Sequence, residues 1–478
     1  MNNRRLPPVF SLVLLWAGSV SACSRLPAAE AGMVAPPEVA PETRPANSIL
    51  TGGWDPQVQA YVIQAHDADT GETAVWGSVP LEGSGTDMGS YAYSPDGSVL
   101  ALTTGTTPFC TPSGGGSACW PSTKAIHLID VQTRAVISVD PGYGRAGPIV
   151  FSPDGDHLAM VHQSRAGIEL RLYDSASGGL LRSTSIPFVP SYAGYTVDER
   201  GLILVGADDG THPGLAPPGP LTVIVTDGES LETRWQQALD GVIHGAWCLE
   251  ACDGSHGFTV SAVWSPAIVR IPGTDRIVVV HADADKLTSV DVADQRVATI
   301  DIAAPRSWLD RLMAFGTMPA EAKGGMDGAA RDAAASPDGS RLYIVGWAYH
   351  TRLKDDGTME NRDEPLGLQV VDPLTGSRIA SIDSNAARVS LTKDGAWLLL
   401  TVWNDVKMWT EVLPVGQLDG DRPVEAWDLV AGTNLEGAPV VLGMSAVEGP
   451  IRVSNIDPAT LSLGKRWLLG ESVTVLLR

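Results

Sequence analysis

His244, Cys248, Cys252 and His256 recur at every fourth position, two thiols and two imidazoles within one short stretch. Two sulfur and two nitrogen donors are a set that a tetrahedral zinc ion takes. A continuous helix would bring all four to one face, but Gly245, Gly254 and Gly257 beside them favour a loop. The alternative is a disulfide between Cys248 and Cys252 with no metal, and this is the favoured reading, because close thiols oxidise in an exported protein. A second close pair, Cys110 and Cys119, flanks Thr111-Pro112-Ser113-Gly114-Gly115-Gly116-Ser117-Ala118. That loop is flexible enough to satisfy disulfide geometry and reads as a stapled loop.

The export signal lies at the N-terminus. Arg4 and Arg5 precede an apolar run from Val9 to Gly18, too short to span a bilayer but suited to the core of a signal peptide over residues 1–22. It ends at Val20-Ser21-Ala22-Cys23, which resembles a bacterial lipobox. The resemblance implies cleavage before Cys23 and lipidation of that residue, hence a chain anchored to a membrane on the extracytoplasmic side. Several acyl chains together anchor stably, at about 0.8 kcal/mol per buried CH₂. Residues 23–56 are then expected to form a disordered Ala/Pro-rich tether, since Ser24 to about Gly53 lacks aromatic residues.

Other chemistry is sparse. The sequence has no Cys-x-x-Cys-His stretch for covalent haem, no Gly-x-Ser-x-Gly elbow and no phosphate-binding glycine loop between a strand and a helix. No cofactor is expected. Asp residues that end apolar runs, such as Asp130 and Asp372, are read as caps of their own turns. Trp76, Trp264, Trp347, Trp397 and Trp403 are read as packing between sheets in preference to a quinone pocket. A formal charge of −22 repels phosphate backbones, so nucleic acid is not an expected partner.

The elements that must carry these residues are hairpins. Ser94-Pro95-Asp96-Gly97, Ser152-Pro153-Asp154-Gly155 and Ser336-Pro337-Asp338-Gly339 each lead into an apolar run. Proline pre-sets φ at the second turn position, and glycine takes the left-handed one. Looser versions end at Gly201, Asp275 and Gly395, giving a beat of about 60 residues. Second hairpins follow at Asp130, Asp174, Asp227, Asp291 and Asp372. Runs such as Leu342-Tyr343-Ile344-Val345 are apolar without alternation, so their strands must be covered on both faces. With 51 Gly and 34 Pro, the chain is expected to be all-β, a single β-propeller of four-stranded antiparallel blades over 57–478.

Seven blades are expected, one of them closed by pairing 57–89 with 429–478. Eight are possible, because Asp457-Pro458-Ala459-Thr460 also resembles a second-hairpin turn. Two segments break the beat. One is an insertion at about 305–331, where Trp308, Leu309, Leu312, Met313 and Phe315 could line a short helix; the other is a charged, solvent-exposed loop from Lys354 to Glu364.

Ser336 to Val345, together with Val370-Val371-Asp372 through Ile382, resemble the YVTN-type, WD40-like repeats of extracytoplasmic propellers. The resemblance implies a propeller lipoprotein of the bacterial cell envelope that binds or scaffolds a protein or glycan. It also leaves open a propeller enzyme, a lactonase-like hydrolase or a metal-dependent oxidoreductase. Locally, Cys248 to His256 is similar to the ligand loop of binuclear copper centres, with Thr259 where that pattern has Met.

Overall fold

The computed structural model describes residues 48–477 apart from internal stretches, the longest being 208–218, 249–259 and 303–324. The signal segment 1–22, Cys23, Cys252, His256 and residues 308–316 lie outside the described residues.

Among the described residues every regular element is a strand. Six four-stranded antiparallel sheets form separate blades, and one ten-stranded sheet holds the rest. Within that larger sheet are two further antiparallel runs of four, one over Tyr192–Cys248 and one over Gly325–Ile382. They are joined through Val260–Ser265, which pairs antiparallel with Thr233–Cys248 and parallel with Gly325–Ala335. The molecule is a β-propeller, but the seven separate blades expected are not what it forms.

The second strands of the blades explain the unalternated apolar runs. In His157–Ser164, Leu158 and Met160 pack with Leu128 and Ile149, while Ala159 and Val161 pack with Leu202 and Leu204. In Leu342–Leu353, Leu342 and Ile344 join Val278 and Val280, while Tyr343 and Val345 join Leu398 and Leu400. Successive side chains point to opposite faces, so each such strand fills two interfaces between neighbouring sheets.

The ring closes through strands from opposite ends of the chain. Val473–Leu476 pairs with Ser48–Asp55, which pairs with Ala60–Asp67, and Thr73–Pro80 completes the sheet. Two boundaries change as a result. The propeller starts at Ser48 and not at 57, with Ile49 and Leu50 buried. Residues 428–468 do not belong to the closing sheet; they form four strands of their own, with Asp457 at the last turn. The sequence hides the first change because Ser48–Asp55 takes its stability from partners on both sides, one of them over 400 residues away.

Two loops of the expectation are strands. Met359–Pro365 pairs with Leu342–Leu353, so the charged segment is a sheet edge. Gly325–Ala335 is the first strand of its blade, which ends the insertion before residue 325.

Candidate binding face

The two faces of the propeller differ in kind. On one, the turns joining first and second strands are short and alike. Ser94 Oγ donates to Asp96 Oδ1 at 2.6 Å and accepts from Val99 N at 2.9 Å, and Ser152 with Asp154, Thr196 with Asp198, Ser336 with Asp338 and Thr392 with Asp394 repeat the device. These hydrogen bonds, led by the hydroxyl, hold the carboxylates below their ordinary range, with Asp338 at about 2. The turns also touch one another: a Cβ on Gly395 would meet Pro337 Cδ at 2.5 Å. The turns between third and fourth strands are equally self-contained. Asp130 accepts from Gln132 N and Thr133 N, and Asp372 from Leu374 N and Thr375 N. Repeated in blade after blade, these carboxylates are structural.

The opposite face, where second strands run into third, carries long extensions. Val99–Ser113 and Gly116–Asp130 continue as one hairpin well past the body of their blade. On the same face, Thr233–Cys248, Val260–Ser265, Gly325–Ala335, Leu342–Leu353 and Met359–Pro365 form a continuous apron of strands. Loops and excursions on a rigid scaffold are where binding residues concentrate.

The cysteines map to these extensions. Cys110 stands directly opposite Cys119 in the hairpin, where a loop was expected. Cys248 is the last residue of Thr233–Cys248, with Val260 as its partner. His244 and Cys248 therefore lie on one strand, about 13 Å apart at 3.3 Å per residue. An imidazole and a thiolate on one zinc ion need their Cα atoms within about 10 Å, given metal bonds near 2.0–2.3 Å. The strand thus separates two members of the proposed ligand set. Among the described residues no group of three or more His, Cys, Asp or Glu is placed to hold a metal.

Three other buried histidines serve the sheets. His66 lies between Thr51 Oγ1 at 2.7 Å and Thr73 Oγ1 at 3.0 Å, and His127 between Thr104 Oγ1 and Ser138 Oγ, both at 2.9 Å. Burial pushes each ring down to about 4. His281 makes a similar contact with Thr288 at 2.7 Å. Recurrence of a hydroxyl–imidazole ladder across strands of several blades marks it as structural. Trp76 packs in the core between sheets, as the sequence suggested.

The residue that sequence reasoning missed is Arg331, on the first strand of its blade. Its side chain is 5% exposed, and Nη2 meets Asp285 Oδ1 at 3.0 Å. Nε and Nη1 have no hydrogen-bond partner among the described residues. The next residue, Asp332, turns the other way and accepts from Val389 N of the neighbouring blade at 2.8 Å. Its burial raises the carboxyl above the usual range.

No protein family model and no curated protein sequence matches the chain. Among solved structures it is similar to dihydro-heme d1 dehydrogenase NirN in complex with DHE, at 12% identity and a TM-score of 0.47 over 90% of this chain and 76% of that one. It is similar also to the Dos1 propeller, at 11% identity and a TM-score of 0.43, covering 83% and 86%. BamB from Moraxella catarrhalis stands at 11% identity and 0.39, covering 88% and 96%. The fold assignment itself rests on the sheet topology.

Proposed function

We propose that this chain is an exported, lipid-anchored β-propeller that acts at the bacterial cell envelope as a binding or scaffolding module, engaging a protein or glycan through its extended face. One observation carries the reading: short, near-identical turns cover one face, while the other bears strand extensions that the closure of the ring does not need. Counting the two four-stranded runs that share the larger sheet, we infer eight blades in one ring. The Val20-Ser21-Ala22-Cys23 stretch supports anchoring through lipidated Cys23, and the register of Cys110 and Cys119 supports a disulfide between them.

A crosslinking pair tests the face. A photoreactive residue at exposed Glu364 on the extended face should give a defined adduct in the native envelope, and one at exposed Ser340 on the turn face should not. Equal labelling from both positions, or none from Glu364, would remove the assignment. Anchoring is tested separately by mass spectrometry of the mature N-terminal peptide, where an unmodified Cys23 would refute lipidation.

A further inference from the structure

Arg331 sits at a fork. Above it, Val260–Ser265 and Gly325–Ala335 run parallel, with Trp264 opposite Ala329 and Ser265 opposite Ala330. Pro266 follows, with fixed φ and no N–H to continue the ladder, and the chain then diverges as Ala267–Arg270 into its own blade. Arg331 is the first residue past the last parallel pair, where the two strands part.

Three observations separate it from the structural arginines. Its guanidinium is buried, yet two of its three nitrogens lack a partner among the described residues, which in a dry site is costly. By contrast, Arg171 and Arg270 reach backbone carbonyls, those of Pro141 and Tyr195, and each also pairs with a carboxylate. The second observation is position: five residues before the start of the first turn, the blades carry Gly89, Gly147, Ser191, Pro266, Ala387 and Leu429, and only this one has a charge. A device needed by every blade would recur there, as the turn aspartates do. Third, the register puts Trp264 on the same side of the sheet as Ala329, Ala348 and Arg331. Trp264, half-buried, is a diagonal neighbour of Arg331, about 7–8 Å away, beside a floor of alanine.

We propose that Arg331 anchors a binding site for a small oxyanion, a carboxylate or phosphate ester carried on a sugar ring that rests on Trp264. Nε–H and Nη1–H lie on different edges of the guanidinium, and each can donate one charge-assisted hydrogen bond to an oxyanion oxygen. Asp285, held at 3.0 Å by both Arg331 and Arg378, keeps the guanidinium oriented and offsets one of the two positive charges. The indole offers such a ring an apolar face. This site lies at the root of the extended face, and it stands or falls independently of any macromolecular partner there.

The test is saturation-transfer NMR on the full folded chain with D-glucuronate, glucose 6-phosphate and glucose as probes. Transfer to glucuronate or glucose 6-phosphate but not to glucose is expected. Arg331→Met should weaken binding at least about tenfold. Asp285→Asn should leave binding intact or tighten it, since it frees further donors, and this variant reports even where Arg331→Met folds poorly. Trp264→Ala should weaken both sugar anions. No transfer to either anion, undiminished binding in Arg331→Met, or loss of binding in Asp285→Asn would overturn the site. The crosslinking at Glu364 does not depend on Arg331, so the failure of one reading leaves the other distinguishable.

Discussion

Both ring nitrogens of His66 and of His127 are hydrogen-bonded to hydroxyls inside a sheet, and burial lowers each pKa to about 4. An unfolded chain takes up these protons from about pH 6.5 downward, whereas the folded chain refuses them until about pH 4. The unfolded state therefore binds more protons throughout that window, and stability must fall as the pH falls. The expected loss is about 1.4 kcal/mol per pH unit for each histidine. The turn carboxylates act lower: their pKa values are depressed, so their contribution is present above the ordinary carboxylate value and is lost only as the pH falls further. Urea denaturation at pH 7, 5.5 and 4.5 should show the decline, and His127→Gln should flatten it. Identical slopes in the variant and the parent would show that His127 takes a proton without unfolding. The sequence made the turn aspartates legible because their partners lie within five residues. The histidine ladders were not legible, since Thr104 and His127 meet only through a strand register that no local pattern prints.

At the scale of elements, the paired faces of the second strands were readable from apolar runs alone, since a strand that is apolar at four successive positions has nowhere to put them but two interfaces. The extensions were harder. Threonine, proline and glycine around Cys110 read as a loop, yet the chain keeps its ladder to Ser113 and resumes it at Gly116. Directly opposite residues in an antiparallel pair have Cα atoms about 4.5–5.5 Å apart, inside the range of about 4.4–6.8 Å that a disulfide needs. Protein purified without reductant is expected to show no free thiol at Cys110 or Cys119. Reduction should loosen that hairpin, seen as faster amide exchange near residues 105–122, while the core strands keep their protection. Alkylation of both cysteines in unreduced protein would exclude the bridge. The fork at Pro266 was illegible for another reason: two inner strands of adjacent blades join there, and nothing in either strand announces the other.

For the whole molecule, closure decides what the termini are worth. Val473–Leu476 supplies the strand that Ser48–Asp55 would otherwise lack on one side, with Leu50 opposite Leu476 and Gly53 opposite Val473. Leu476 also enters the core shared by Leu50, Tyr61, Leu100 and Leu102, and the Tyr93 hydroxyl donates to its carbonyl at 3.3 Å. Removing residues 473–478 would strip one edge of the closing sheet and expose apolar surface of two sheets at once. Burying one leucine side chain is worth about 1.5–3 kcal/mol, and an unpaired edge strand invites association with other chains. The remaining sheets pack on neighbours at both sides and would feel the loss only through the opened ring. Deletion of 473–478 should therefore lower the thermal midpoint sharply and promote aggregation, whereas deletion of 24–47 should leave the midpoint within about 1 °C. Calorimetry on the two truncations, compared at equal protein concentration, checks this. Equal midpoints would mean that the strand at 473–476 is not needed to hold the ring shut, and the placement of the closing sheet would have to be redrawn.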